Sequence, residues 1–167
     1  MIFSAVADPR LVMIRRGGTL SDDDHRLLAI WAAACADHVL GIFEEACPAD
    51  PRPRLAVLGI RAWARGETSM TESRAAGGHA MAAARPLTGA PRFAAYAAGQ
   101  AACVGHVAAH NLGASAYAIK AVRFASGDAA ARFEREWQRR QLPSAISALV
   151  ISDQASRDDP CWSMFTF

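Results

Sequence analysis

The fold turns on Tyr96-Ala97-Ala98-Gly99-Gln100-Ala101-Ala102-Cys103-Val104-Gly105-His106-Val107-Ala108-Ala109-His110-Asn111-Leu112-Gly113-Ala114-Ser115-Ala116-Tyr117. Within and just past it, Tyr96, Gln100, Cys103, Val107, His110, Ala114, Tyr117 and Ala121 recur at steps of four and three. That is the seam spacing of a helix held between neighbours. Gly99, Gly105, Ala109 and Gly113 set small residues beside the seam, so another backbone can approach closely. The spacing predicts a helix opened by Pro91 and running to about Ala121. It bends at Val104-Gly105-His106, where glycine weakens the hydrogen-bond ladder.

Outward from this stretch, local signals predict five more helices. Ser21 can cap a helix whose first turn carries Asp22, Asp23 and Asp24, negative charge at the positive end of the dipole. Leu27, Trp31, Ala34, His38 and Ile42, with Leu28, Cys35, Val39 and Phe43 beside them, give it a wide apolar stripe. Pro48 and Pro51 end it. A second helix starts at Pro53 and stops at Gly66, with Leu55, Leu58, Ala62, Val57, Ile60 and Ala64 marking its buried side. Ser69-Met70-Thr71-Glu72 is a capping box that opens a third helix, running to about Arg85. Ser126-Gly127-Asp128 restarts the chain into a helix carrying Phe133 and Trp137. Pro143 opens a short last helix through Ile146, Leu149 and Val150. The expectation is an all-α, compact single-domain bundle of about six helices: an irregular arm over 1–20, helices over 21–153 and a tail over 154–167. The tail turns abruptly apolar at Cys161-Trp162-Ser163-Met164-Phe165-Thr166-Phe167. It is expected to dock on the bundle beside Leu11-Val12-Met13-Ile14, or else on another chain.

Composition narrows the function classes. Apolar residues make up 52% of the 167, too many for a disordered chain. The formal net charge of +2 supplies no field to recruit nucleic acid or anionic lipid, so neither partner is expected. Alanine fills 38 positions and Lys120 is the sole lysine, a usage that points to a GC-rich bacterial genome. The start, Met1 to Pro9, has no basic leader, and the longest apolar run, Leu27 to Ala36, is too short to span a bilayer. Cys35, Cys47, Cys103 and Cys161 match no zinc spacing and read as reduced thiols of a cytoplasmic protein.

Chemistry-bearing residues are few. His106 and His110, four apart, would share a helix face, and His79 would lie on a neighbouring helix. Imidazoles so spaced can bind zinc or another transition metal. Positions 107–109 are Val-Ala-Ala, however, with no glutamate to act as base. Buried histidines bonded to carbonyls are the plainer reading. Gln100 and Asn111 are polar groups beside the seam that need hydrogen bonds. No nucleophile elbow and no phosphate-binding loop is present. Arg132, Arg135, Arg139 and Arg140, interleaved with Glu134 and Glu136, read as a solvated face.

Several segments carry a family resemblance in a fixed order. They include Ile14-Arg15-Arg16-Gly17-Gly18-Thr19-Leu20, Asp24-His25-Arg26-Leu27-Leu28, Arg61-Ala62-Trp63 with Arg65-Gly66-Glu67, and Gly78-His79-Ala80-Met81. Later come His106-Val107-Ala108-Ala109-His110, Ala116-Tyr117-Ala118-Ile119-Lys120, Glu136-Trp137-Gln138 and Cys161-Trp162-Ser163. Over nearly its whole length the chain resembles the bacterial immunity proteins described as immunity-protein-five-like. The resemblance implies an all-helical fold and neutralisation of a toxin made by the same or a neighbouring cell. Asn111 departs from the acidic residue that the resemblance leads one to expect after the second histidine, and the loss of that carboxylate would weaken a metal site.

Two readings stay open. One is a non-catalytic immunity protein that binds a cognate protein toxin, with His79, His106, His110, Gln100 and Tyr117 as candidate ligand or partner contacts and no cofactor. The other is a metal-dependent or small-ligand-binding helical enzyme centred on His79, His106 and His110. The alanine-rich faces and the tail also leave room for a homodimer.

Overall fold

In a computed structural model, which describes residues 8–167, the chain is all-α, with seven helices and no strands among those residues. They are α1 (Asp22–Val39), α2 (Gly41–Ala46), α3 (Arg52–Ala64), α4 (Met70–Ala84), α5 (Gly89–Cys103), α6 (His110–Arg140) and α7 (Ser144–Ser156). Residues 1–7 of the expected arm lie outside the described residues. The rest of the arm makes two short 3₁₀ turns and one bridge between Met13 and Leu20, burying Leu11, Met13 and Leu20.

The start signals work as read. Ser21 Oγ accepts from the Asp24 N–H at 3.0 Å. Ser69 and Glu72 close a reciprocal capping box, with the Glu72 carboxylate on the Ser69 N–H at 2.8 Å. The first helix ends at Val39, before the expected prolines, and the chain turns at Leu40 into the short α2. Gly127 has φ 82° and ψ −179°, a conformation open to glycine, so α6 breaks in direction there. This is the restart expected at Ser126-Gly127-Asp128. On α3 the buried side is Pro53, Ala56, Val57, Ile60 and Ala64. Leu55 and Leu58, expected inside, are about half exposed. They sit roughly 100° around the helix from Ala56 and Val57 and so face away from the core.

The core is built around α5, which packs against α1, α2, α3, α4 and α6. Ala94, Ala95, Ala97, Ala98, Ala101 and Ala102 are all fully buried, as expected of a helix apolar around most of its girth. Alanine lets five neighbours come close. At the α4 contact even a methyl is too much: a Cβ on Gly77 would lie 2.8 Å from the Gly99 carbonyl oxygen.

The long seam is one helix in expectation and two in fact. The helix ends at Cys103, and a turn over Val104 to Ala109 reverses the chain. Two contacts account for the break. His25, fully buried on α1, donates from Nε2 to the Val104 carbonyl at 2.6 Å. Gly105 packs on the Trp63 indole so tightly that a Cβ there would meet the ring at 3.1 Å. The two halves of the seam then fold onto each other as an antiparallel hairpin. Tyr96 meets Tyr117, and Gln100 meets His110 and Gly113. The periodicity was sound, but the partner of the seam is its own other half.

The apolar tail docks within the subunit. Cys161, Met164 and Phe165 are buried against Leu112, Ala116, Ile119 and Ala131 of α6, not beside Leu11–Ile14 as expected. Arg135 and Arg139 hold it by donating to the Phe165 carbonyl at 3.3 and 3.2 Å. The charged stretch 132–140 is therefore no simple solvated face. Glu134 is itself buried, accepting from His38 Nδ1 at 2.6 Å and from Gln138 Nε2 at 2.8 Å.

Candidate partner-binding face

The hairpin turn settles the histidines. His106 lies in the turn and His110 is the first residue of α6, so they share no helix face. His79 is exposed on α4. Among the described residues no three His, Cys, Asp or Glu side chains are grouped to hold a metal ion. The alternative set of His79, His106 and His110 presumed an unbroken helix, and the described residues do not bring the three together. His110 instead donates from Nδ1 to Gln100 Oε1 at 2.8 Å, tying the two arms of the hairpin. Asn111 is fully buried and donates to the Ala108 carbonyl at 2.8 Å.

Burial holds His110 neutral, its pKa pulled down to about 4, with a smaller push from His106. Burial also lowers His25. An unfolded imidazole takes its proton near pH 6.5. Below that pH the unfolded chain binds protons that the folded chain resists, so stability is full above pH 6.5 and declines toward pH 4. His110→Gln should remove about 2–3 kcal/mol of this decline. Urea unfolding at several pH values checks it, with the share due to His25 persisting; an unchanged acid limb would contradict a buried neutral His110.

Tyr117, two turns along α6, opens onto the surface where the sequence pattern meets the tail. Its ring stacks near Phe93 and Tyr96, with centroids 6.2 and 5.2 Å away, and lies 4.9 Å from Trp162. Phe93 also meets Phe124 edge-on at 4.9 Å. Trp162 stands in the left-handed region, φ 60°, followed by Ser163 at φ 55°. The backbone is held there by the docked tail: the Phe165 N–H donates to Asp158 at 2.7 Å, and Thr166 donates to the same carboxylate. Non-glycine residues in this region carry strain of about 1 kcal/mol or more, here offset by burial of Met164 and Phe165.

Trp162 forms the ridge between two shallow clefts. One, of about 300 Å³, is lined by Thr88, Gly89, Arg92, Phe93, Tyr96 and Tyr117. The other, of about 400 Å³, is lined by Lys120, Arg123, Phe124, Asp128 and Met164. Phe124 is 61% exposed and Trp162 38%. The cations are set into the aromatics. Lys120 Nζ sits 3.6 Å from the Trp162 ring centroid and 4.7 Å from that of Phe93. Arg92 lies over Tyr96 at 5.4 Å and Arg123 over Phe167 at 4.6 Å. Among the described residues Asp128 is the one carboxylate lining either cleft, and Arg123 already holds it at 2.7 Å.

Of the five residues expected to carry function, only Tyr117 reaches this face. Gln100 and His110 form an internal pair, and His79 and His106 stand elsewhere. Lys120, Arg92, Phe93 and Trp162 were missed as a group. Their signals were present: a sole lysine, aromatics three apart at Phe93 and Tyr96, and a tail ending in tryptophan and phenylalanines. What joins them is the hairpin and the docked tail.

Fold and face together define an all-helical protein with an aromatic, cationic surface. The chain belongs to the Imm-5 like putative immunity protein family, whose model matches residues 18–145. The match takes in Arg92, Phe93, Tyr96, Tyr117 and Lys120 and stops before Trp162. No curated protein and no solved structure matches the chain.

Proposed function

We propose that this chain is a non-catalytic immunity protein that neutralises a cognate protein toxin by binding it through the face around Trp162. Family membership supports the immunity role. The observation that carries the choice of surface is the composition of the face. Tryptophan, tyrosine and arginine, clustered and part-exposed, are the residues that dominate protein–protein binding energy. Rigid aromatic rings lose little entropy on binding, and the docked tail has already ordered Trp162. No helix among the described residues is long and apolar enough to cross a membrane. Free thiols at Cys35, Cys47, Cys103 and Cys161 fit a reducing cytoplasm.

Co-expression with each candidate toxin found among the neighbouring genes tests the reading. Wild type should restore growth. Trp162→Ala with Phe124→Ala should weaken binding by about 30-fold or more and abolish protection, while the helical circular dichroism signal stays unchanged. Survival no better with the wild-type chain than without it, for every adjacent toxin, would defeat the proposal.

A further inference from the structure

We infer that the partner anchors on this face with a carboxylate side chain set onto Lys120, flanked by an aromatic or aliphatic residue laid against Trp162. The inference rests on the reading above and specifies the partner's chemistry.

Lys120 is singular in the chain. The other 17 of its 18 basic residues are arginine. Its ammonium lies between the rings of Phe93 and Trp162. No carboxylate pairs with it among the described residues, and burial alone moves its pKa, downward. Two rings cover part of the cation through their negative faces. An ammonium has three N–H donors, and π faces are poor acceptors for all of them, so its open side, now facing water, is where an oxygen anion can dock.

The surroundings favour an acidic partner over a basic one. Arg92 brings a second cation whose guanidinium, among the described residues, donates to the Leu87 carbonyl and the Tyr96 hydroxyl, both at 3.3 Å. Arg123 brings a third, matched by Asp128. Among the described residues the lining of the two clefts thus carries three cations against one carboxylate, in a chain whose overall excess is only +2. Complementary charge favours a partner that presents carboxylates here and disfavours one that presents arginines. A carboxylate that arrives with an apolar neighbour also expels water from the Trp162 ridge. The ion pair then forms at lower effective dielectric, where it is worth more than at an open rim.

The sole lysine makes the test clean. Reductive dimethylation with ¹³C keeps the charge and places one side-chain NMR probe at Lys120, distinct from that of the terminal amine. The probe ligands are the capped peptides acetyl-Ala-Phe-Glu-Phe-Ala-amide and its Gln counterpart. The Glu peptide should shift the Lys120 signal saturably in the millimolar range, and the Gln peptide should not. Equal shifts with both peptides, or none with either, overturn the inference. So does a signal that moves with protein concentration alone while sedimentation shows a dimer, because the occupant is then a second copy. With the co-expressed toxin, Lys120→Met should weaken binding by about 30-fold and Lys120→Arg should recover part of it. Full protection by Lys120→Met would sink the carboxylate anchor while leaving the immunity reading intact. A Glu-specific shift without any toxin protection would do the reverse.

Discussion

Phe165→Ala should lower the unfolding free energy by about 3–5 kcal/mol and the melting temperature by roughly 10 °C for a chain of this size. Phe165 is 2% exposed and shares its cluster with Leu112, Ala116, Ile119, Cys161 and Met164. That cluster is small and separate from the main core, so little nearby mass can relax into the hole. The loss should reach the surface as well. The Phe165 N–H is held by Asp158, its carbonyl by Arg135 and Arg139, and these contacts fix the left-handed turn that presents Trp162. The variant should therefore lose toxin protection even at temperatures where α1 to α6 remain folded. Phe165→Leu, which keeps most of the buried volume, should cost under about 2 kcal/mol. Thermal unfolding by circular dichroism, with limited proteolysis of the tail, measures both. A melting temperature within a degree of wild type would mean that the tail is not part of the folded unit.

Two adjacent glycines on α4 should respond in opposite directions. Gly77→Val is expected to cost about 3 kcal/mol. Even its Cβ would fall 2.8 Å from the Gly99 carbonyl oxygen, 3.0 Å from Cys103 Sγ and 3.1 Å from the Ala102 Cβ. A backbone carbonyl cannot rotate away as a side chain can, so α4 and α5 must separate and every buried alanine along that line loses contact. Gly78→Ala meets nothing within 4 Å. Alanine is the better helix former by about 1 kcal/mol, so this change should stabilise by up to that amount. Urea denaturation of the two variants beside wild type reads the contrast directly. A gain in stability at both positions would refute close α4–α5 packing at Gly77, because helix propensity alone ranks valine and alanine both above glycine.

The sequence made the helices legible where the determinants act within a few residues. Ser21 before three aspartates, Ser69 with Glu72, the break at Gly127 and the burial of the alanine-rich stretch all follow from capping, dipole and periodicity. The candidate site was less legible. Tyr117 stood in a recognised seam, but nothing local to Lys120 or Trp162 reveals that one cages the other, since 42 positions separate them. The histidine pair misled because i, i+4 spacing implies a shared face only on a continuous helix.

Composition and periodicity thus determined by themselves that the chain is all-α, where most helices begin, and which stretch packs as a small-residue seam. Tertiary structure alone decided that the seam folds back on itself at Val104–Ala109, that the tail docks on α6, and that Lys120, Trp162 and the aromatics converge. The physical reason is reach. A cap or an apolar stripe is satisfied within a turn or two, whereas the break in the long seam depends on His25, 79 residues away, bonding the Val104 carbonyl, and on Trp63 accepting a bare Gly105.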